Sequence, residues 1–333
     1  MNVTIKEVAK KAGVSTATVS RVFNNTGLVD AETRRRVQAV AKELRYIPNA
    51  VGRSLSTKRT DAIGLLLPDL HGEFFSEVIR GADQSAQQNR YHLLVSSSHT
   101  SRAVLEEALQ VMRGRVDGLI IMSPHLDAHT LEANLPKSLP VVLLNCQVAD
   151  THFDSFNIDN FSGARQMVRH LLEHGHHSIA IIKGTEKNLD ALERLRGYRQ
   201  AMQDNGRHPE CYEINGDFSE ASGYDAAKRI LTLQPRPTAI FASNDSMALG
   251  ALSALREIGV EVPRELALAG FDDIPVARYL SPALTTVHVS ISELGAMAMQ
   301  KLFEALREKN NHLKRHQLLP TKLVVRDSCG CSQ

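Results

Sequence analysis

Beyond residue 60 the chain alternates again and again between short β-rich runs and longer amphipathic runs, and few architectures accept that order. Residues 62–67, 92–97, 118–122, 141–144, 179–183, 239–242 and 266–271 read as strands, being short, apolar and rich in Val, Ile and Leu. Between them, 74–89, 102–113, 161–173, 193–205, 222–233 and 246–258 carry helical spacing. Continuous apolar strands separated by helices predict parallel sheets covered on both faces. The stretch is longer than one such sheet needs, so two similar α/β lobes with a cleft between them are expected. Ligands of doubly wound folds sit at the carboxyl ends of the strands.

The first 60 residues follow another pattern. They hold twelve Lys and Arg against four acids, a formal +8, while the remainder holds 27 basic and 33 acidic side chains, a formal −6. A basic head on an acidic body points to a polyanionic partner for the head alone. Thr4-Ile5-Lys6-Glu7 has the form of a capping box, and Ile5, Val8, Ala9 and Ala12 fall on one helical face that Gly13 ends. Ser15 is placed to cap a second helix with Val19, Val22 and Phe23 inward. Thr16, Ala17, Ser20, Arg21 and Asn24 then share an outward arc that is small, polar and cationic. A third helix from near Asp30 turns Val37, Val40, Ala41 and Leu44 inward and leaves Arg34, Arg35, Arg36 and Lys42 to solvent or phosphate. Two helices joined by a short glycine turn match the helix-turn-helix, whose second helix enters the major groove; other three-helix modules share this geometry, and the charge favours DNA.

The strings Thr4-Ile5, Val8-Ala9, Ala12-Gly13-Val14-Ser15, Thr18-Val19-Ser20-Arg21-Val22, Asn24 and Tyr46-Ile47-Pro48-Asn49-Ala50 closely resemble the headpiece of the lac- and gal-repressor family of bacterial transcription regulators. The resemblance implies that Thr16, Ala17 and Arg21 read base edges. A guanine contact by Arg21 is worth about 1–3 kcal/mol of discrimination, and the alternative for Arg21 is a phosphate clamp. Ser15, Asn24 and the start of the first helix at Thr4 would position the backbone, and Ser20 is a further DNA-binding residue of the outward arc. Residues 49–57, with Asn49, Arg53 and Leu55, form two potential helical turns too short to persist alone. The resemblance makes them a hinge helix that orders on DNA, with Leu55 as a minor-groove wedge. The alternative is that Leu55 glues head to body.

Arg115-Val116-Asp117-Gly118, Asp159-Asn160, Ser243-Asn244-Asp245-Ser246 and Gly270-Phe271-Asp272-Asp273 continue the resemblance through the body. It implies a periplasmic-binding-protein-like sensor crossed three times by the chain. The expected organisation is a helix-turn-helix headpiece over 1–48, a hinge and linker over 49–60, an effector-binding and dimerisation domain over 61–328 and a tail over 329–333. Its N-lobe spans about 61–160 plus 291–318, and its C-lobe about 161–290 plus 319–328. By resemblance, Arg194, Asn244 and Asp272 hydrogen-bond the effector, Phe75 and Phe218 flank its ring, and Ser123, Asn145 and Asp159 contribute further. Read from residues alone, Arg194 also fits a solvated helix start, and Asp272 a turn cap. Cys146 stands where the purine-binding branch of the family has tryptophan, which points to a sugar effector rather than a purine.

Other classes fit poorly. With 43% hydrophobic and 23% charged residues, the composition excludes wholesale disorder. No apolar run reaches the roughly 18 residues that cross a bilayer, and the polar start lacks the form of a signal peptide, so a cytoplasmic protein without a membrane partner is expected. A ligand carrier, the competing class, needs export. Neither a phosphate-binding Gly-Lys-Ser/Thr loop nor a Gly-x-Gly-x-x-Gly follows the first strand, so no enzyme and no cofactor are expected. His174, His176 and His177 suit a helix C-terminus better than a metal, and Cys329 and Cys331 read as idle thiols of a frayed tail. The expected assembly is a homodimer on a pseudo-palindromic duplex operator, without the tetramerising helix of the lac repressor.

Overall fold

The computed structural model describes residues 3–24, 27–47, 59–123, 128–136, 138–146, 153–207, 212–308 and 315–331. The chain divides into two compact units, Met1–Asp61 and Ala62–Gln333.

The first unit is built on three helices. α1 (Ile5–Ala12) begins at the capping box: the Thr4 N–H donates to the Glu7 carboxylate at 2.7 Å, which holds the Glu7 pKa below its ordinary value. Gly13 closes it at φ 67°, a conformation glycine adopts without strain. Ser15 caps α2 (Thr16–Asn24) by accepting from the Thr18 N–H at 3.1 Å, and Asp30 caps α3 (Ala31–Glu43) by accepting from Thr33 at 2.8 Å. Val8, Ala9, Ala12, Val19, Val22, Val37 and Ala41 form the core, with Phe23 edge-on to Tyr46 at 5.7 Å. Two arginines expected to face outward are occupied within the unit. Arg36 Nε donates to the Ala12 carbonyl at 3.0 Å and Arg34 Nη1 to the Val22 carbonyl at 3.3 Å. Each thereby satisfies a carbonyl that a helix end leaves without a partner. Asn49, Arg53 and Leu55 of the expected hinge lie outside the described residues.

The second unit contains β1 (Ala62–Leu67), α4 (Glu73–Gln88), β2 (His92–Ser97), α5 (Arg102–Met112), β3 (Gly118–Met122), α6 (Ala128–Asn134), β4 (Val141–Leu144), β5 (Asp154–Ile158) and α7 (Asn160–Glu173). It continues with β6 (Ile179–Lys183), α8 (Leu189–Asp204), β7 (Glu213–Asn215), α9 (Glu220–Ile230), β8 (Ala239–Ala242), α10 (Asp245–Ile258), β9 (Ala267–Ala269) and β10 (Thr286–His288). α11 (Ile291–Glu308), β11 (His316–Leu319) and β12 (Lys322–Val324) complete it. Six of the seven expected strands have the expected bounds. The seventh is shorter because, past Ala269, the Gly270 and Asp272 N–H groups turn to the carbonyls of Thr285 and Val287.

A six-stranded sheet runs β11-β5-β4-β3-β1-β2 and a four-stranded sheet runs β7-β6-β8-β9, both with parallel pairing throughout. Alternate side chains of the larger sheet serve opposite faces. Leu66, Leu119 and Ile121 pack with Leu105 and Leu109 of α5, while Leu65, Ile120 and Val142 pack with Val78 of α4 and Leu302 of α11. β11 therefore brings the late chain back to the first sheet, and antiparallel β10-β12 forms a separate ribbon.

The tail expected to fray from residue 329 is instead packed where it starts. Ser328 Oγ donates to the Leu268 carbonyl at 2.6 Å and accepts from the Thr285 N–H at 2.8 Å, and Cys329 is 1% exposed. These bonds stitch the segment to β9. No described helix is long and apolar enough to cross a membrane.

Candidate functional site

On α2 the buried stripe of Val19 and Val22 forces the opposite arc outward. Thr16, Ala17 and Arg21 are exposed, and Arg21 is free of the inward bonds that occupy Arg34 and Arg36. Asn24 Nδ2 donates to Ser20 Oγ at 3.1 Å, so these two side chains brace one another along the helix. Ser15 and Thr4 sit at the N-termini of α2 and α1, where N–H groups and helix dipoles favour phosphate. The arrangement presents an exposed cationic fork and two small side chains on a rigid helix, a surface of the right size for a major groove.

A cleft of about 700 Å³ opens in the second unit where strand ends of both sheets meet. Its walls include Pro68 after β1, Met122 at the end of β3, Asn145 after β4, Gly184 after β6, Asn215 at the end of β7 and Asn244 after β8. Phe74 and Phe75 from the start of α4 form an edge-to-face pair at 5.5 Å on one wall, and Phe218 stands on another at φ 75°. Gly184 is what lets Phe218 lie there: a Cβ at 184 would come within 2.2 Å of its ring.

At the base of the cleft Arg194 is buried, not solvated, because α8 starts earlier than expected. Asn188 caps it by accepting from the Ala191 N–H at 3.0 Å, which sets Arg194 inside the helix and 3% exposed. Arg194 Nε donates to Asn160 Oδ1 at 2.8 Å, Nη1 to the Ser243 carbonyl at 2.5 Å, and Nη2 pairs with Asp272 Oδ1 at 3.0 Å. Its guanidinium lies over the Phe271 ring at 3.8 Å. Asp272 is held at φ 109°, and burial pushes its carboxyl up to about 6 against the pull of Arg194. Asp190, in the first turn of α8, accepts from Asn160 Nδ2 at 2.7 Å and is likewise raised by burial. Behind them Asp245 accepts from Thr286 Oγ1 at 2.6 Å and the Ile274 N–H at 2.9 Å; burial and then the nearby Asp272 charge drive its pKa well above the ordinary value.

Phe75, Asn145, Arg194, Phe218, Asn244 and Asp272 therefore line the cleft as expected, and Ser123 and Asp159 do not. Asp159 instead caps α7 by accepting from the Ser162 N–H at 3.0 Å. Ser123 is 2% exposed, and its N–H reaches Cys146 Sγ at 3.5 Å. Asn244 lines the wall, yet its side chain is held by the Met247 N–H at 2.9 Å and the Phe218 carbonyl at 3.0 Å. Cys146 is buried beside the cleft, where burial pushes its thiol up to about 12. Asp190 and Asp217 also line the cleft and were not anticipated; the signal for Asp190 was an Asn188 cap with an acid two residues on.

A helix-turn-helix head and an α/β body with a ligand-sized cleft at its strand ends define a ligand-sensing DNA-binding regulator as a class. Residues 4–49 match the bacterial regulatory proteins of the lacI family, and residues 168–329 match a periplasmic binding protein-like domain. The chain is 38% identical to the HTH-type transcriptional repressor PurR of Klebsiella pneumoniae (strain 342), over 97% of each chain. It superposes on the lac repressor dimer bound to operator and the anti-inducer ONPF with a TM-score of 0.87 at 32% identity, covering 99% of both chains. A transcriptional regulator CelR–cellobiose complex matches with a TM-score of 0.73 at 30% identity, over 98% of this chain and 100% of that one. The chain belongs to the LacI/GalR family of bacterial transcription regulators. It is a DNA-binding repressor of that family and not an enzyme.

Proposed function

We propose that this repressor senses a neutral polyhydroxyl compound, a sugar or sugar derivative, in the cleft of its second unit. The carrying observation is the charge of the lining. Seven carboxylates face two cations there, and one of the two, Arg194, is already held by Asn160, Ser243 and Asp272. A phosphorylated or otherwise anionic ligand meets repulsion in such a site, whereas adjacent hydroxyls donate well to Asp190 and Asp272. Phe75 and Phe218 supply ring faces for the C–H side of a sugar. The bound cellobiose of the CelR relative is consistent with this chemistry. The PurR relatives favour a second reading, a purine base stacked on the same rings.

The lobes of this reading are about 61–160 plus 291–318 and about 161–290 plus 319–328, and the ligand alters their closure. Closure changes the spacing of two hinge segments in a homodimer, each with Asn49, Arg53 and Leu55 at the minor groove. Operator affinity then shifts by about 1–3 kcal/mol, roughly 5–150-fold. Thr16, Ala17 and Arg21 read base edges in each half-site, with Thr4, Ser15, Ser20 and Asn24 toward the backbone. Such a protein acts in the cytoplasm.

A thermal-shift screen of neutral mono- and disaccharides, their phosphates and purine bases tests the ligand. A neutral sugar should raise the melting temperature, and its phosphate ester should not. A rise with a purine base alone supports the purine reading, and a rise with phosphate esters alone overturns the charge argument.

A further inference from the structure

Three metal-ligating side chains meet well away from the effector cleft, on the far end of α7. His170 lies in the last turn of that helix, Cys329 in the short 3₁₀ turn Asp327–Cys329, and Cys331 two residues on. Cys329 Sγ is 3.6 Å from His170 Nε2, and the three ligand atoms lie within 4.8 Å of one another. Among the described residues no other group of three histidines, cysteines or acids is so arranged. None of the three lines the effector cleft.

The distances suit a particular class of ion. Tetrahedral zinc has Zn–S near 2.3 Å and Zn–N near 2.0 Å, which sets an S···N edge of about 3.5 Å. The Cys329–His170 pair already stands at that spacing, so one edge of the tetrahedron exists before any ion enters. Cys329 cannot drift from it, because Ser328 ties the same turn to Leu268 and Thr285. Gly330 at φ 73° folds the chain back, so Cys331 Sγ lies 3.6 Å from the Cys329 carbonyl and needs only a small rotation to join. Cys331 is partly exposed, which leaves an approach from solvent. The His170 ring packs against the His174 ring at 4.4 Å between centroids, tilted by 47°, which restrains its plane. One imidazole and two thiolates select Zn²⁺ or another thiophilic d¹⁰ ion over Mg²⁺ or Ca²⁺.

We infer that His170, Cys329 and Cys331 form a Zn²⁺ site that staples the C-terminal turn of the chain to α7, with water completing the coordination. On binding, each thiol loses its proton to solvent, and no redox step is involved. The reading of both cysteines as idle is thereby reversed: the helix and the turn are 159 residues apart in sequence, and only the fold joins them.

The test uses the full-length protein, reduced and stripped of metal with a chelator that is then removed. Titration with Zn²⁺ against a colorimetric chelator should show one tight equivalent per chain. Titration with Co²⁺ should give a thiolate charge-transfer band together with the intense visible bands of a tetrahedral site. Outer-shell partners of zinc ligands are already worth about 10–100-fold in affinity, so Cys331→Ser and His170→Gln should each weaken Zn²⁺ by at least about 100-fold. His174→Gln should leave it within a few-fold. Circular dichroism and melting of Cys331→Ser without metal should match the wild type, which separates ligand loss from misfolding. The proposal is overturned if the reduced wild type takes up no Zn²⁺, if Cys331→Ser binds it as the wild type does, or if the thiolate band is missing. A Cys329–Cys331 disulfide forming in air, with no zinc uptake by the reduced chain, identifies a redox pair instead and equally overturns it.

Discussion

Asp272→Asn is expected to make the protein more stable and less responsive at once. Asp272 is buried, and burial raises its pKa from the ordinary 3.8 to about 6 even with Arg194 beside it. A carboxyl whose folded value lies above its unfolded value stabilises the fold fully below the unfolded value, and that contribution is lost as pH rises through the folded one. At pH 7 ionised Asp272 therefore costs on the order of 3 kcal/mol relative to its neutral form, and roughly half as much at pH 5. Asparagine is neutral at every pH, keeps an oxygen acceptor for Arg194, and, like aspartate, tolerates a positive φ better than most residues other than glycine. Urea unfolding of the wild type and the variant should thus differ by about 3 kcal/mol at pH 7 in favour of the variant, narrowing toward zero below pH 4. The same variant should lose most of its affinity for the neutral sugar that gives the largest thermal shift. A variant less stable than wild type at pH 7 would show that the Arg194–Asp272 pair is net stabilising, and the reasoning would be wrong. An unchanged sugar affinity would remove Asp272 from the binding surface.

Arg21→Ala should flatten the preference for one base pair in each half-site by about 1–3 kcal/mol, read by competition among single-substituted duplexes; an unchanged preference means that Arg21 only touches phosphate. Leu55→Gly should abolish operator bending, measured by energy transfer between labelled duplex ends, and leave sugar affinity intact. Unchanged bending would dismiss the wedge. Gly184→Ala places a Cβ where the Phe218 ring lies, so sugar affinity should fall by about fivefold or more while binding to operator without sugar is retained. An affinity equal to wild type would mean that Phe218 is not part of the ligand surface.

The parts of the fold that local chemistry decides were legible in the sequence. The Thr4–Glu7 box, the Ser15 cap and the Gly13 stop are adjacent residues solving a local hydrogen-bonding problem. Strands such as Ala62–Leu67 and Ile179–Lys183 are buried on both faces and so appear as unbroken apolar runs. β7 and β12 gave no such signal, being three residues long and partly exposed. The helix Ile291–Glu308 is not among the expected helices, although Ile291, Leu294, Ala298, Leu302 and Ala305 mark its buried face. At the site, Asn145, Phe218, Asn244 and Asp272 fall on the cleft because they follow strands whose ends converge there, but Ser123 and Asp159 show that a position after a strand does not set the direction of its side chain. The roles of Arg34, Arg36 and Arg194 depended on carbonyls and a carboxylate contributed by other elements. No spacing rule within one element finds such partners.

The central claim is that the head reads sequence and that the cleft controls it. Full-length protein should be used to select from a random duplex library at near-physiological salt, and the enriched duplex then titrated with and without the sugar that shifts melting most. The account predicts enrichment of one pseudo-palindrome with two half-sites, bound roughly 1,000-fold or more tighter than scrambled duplex, and an affinity changed 5–150-fold by the sugar. Equal, salt-sensitive binding to every duplex, or a selected operator indifferent to every ligand of the cleft, would contradict it.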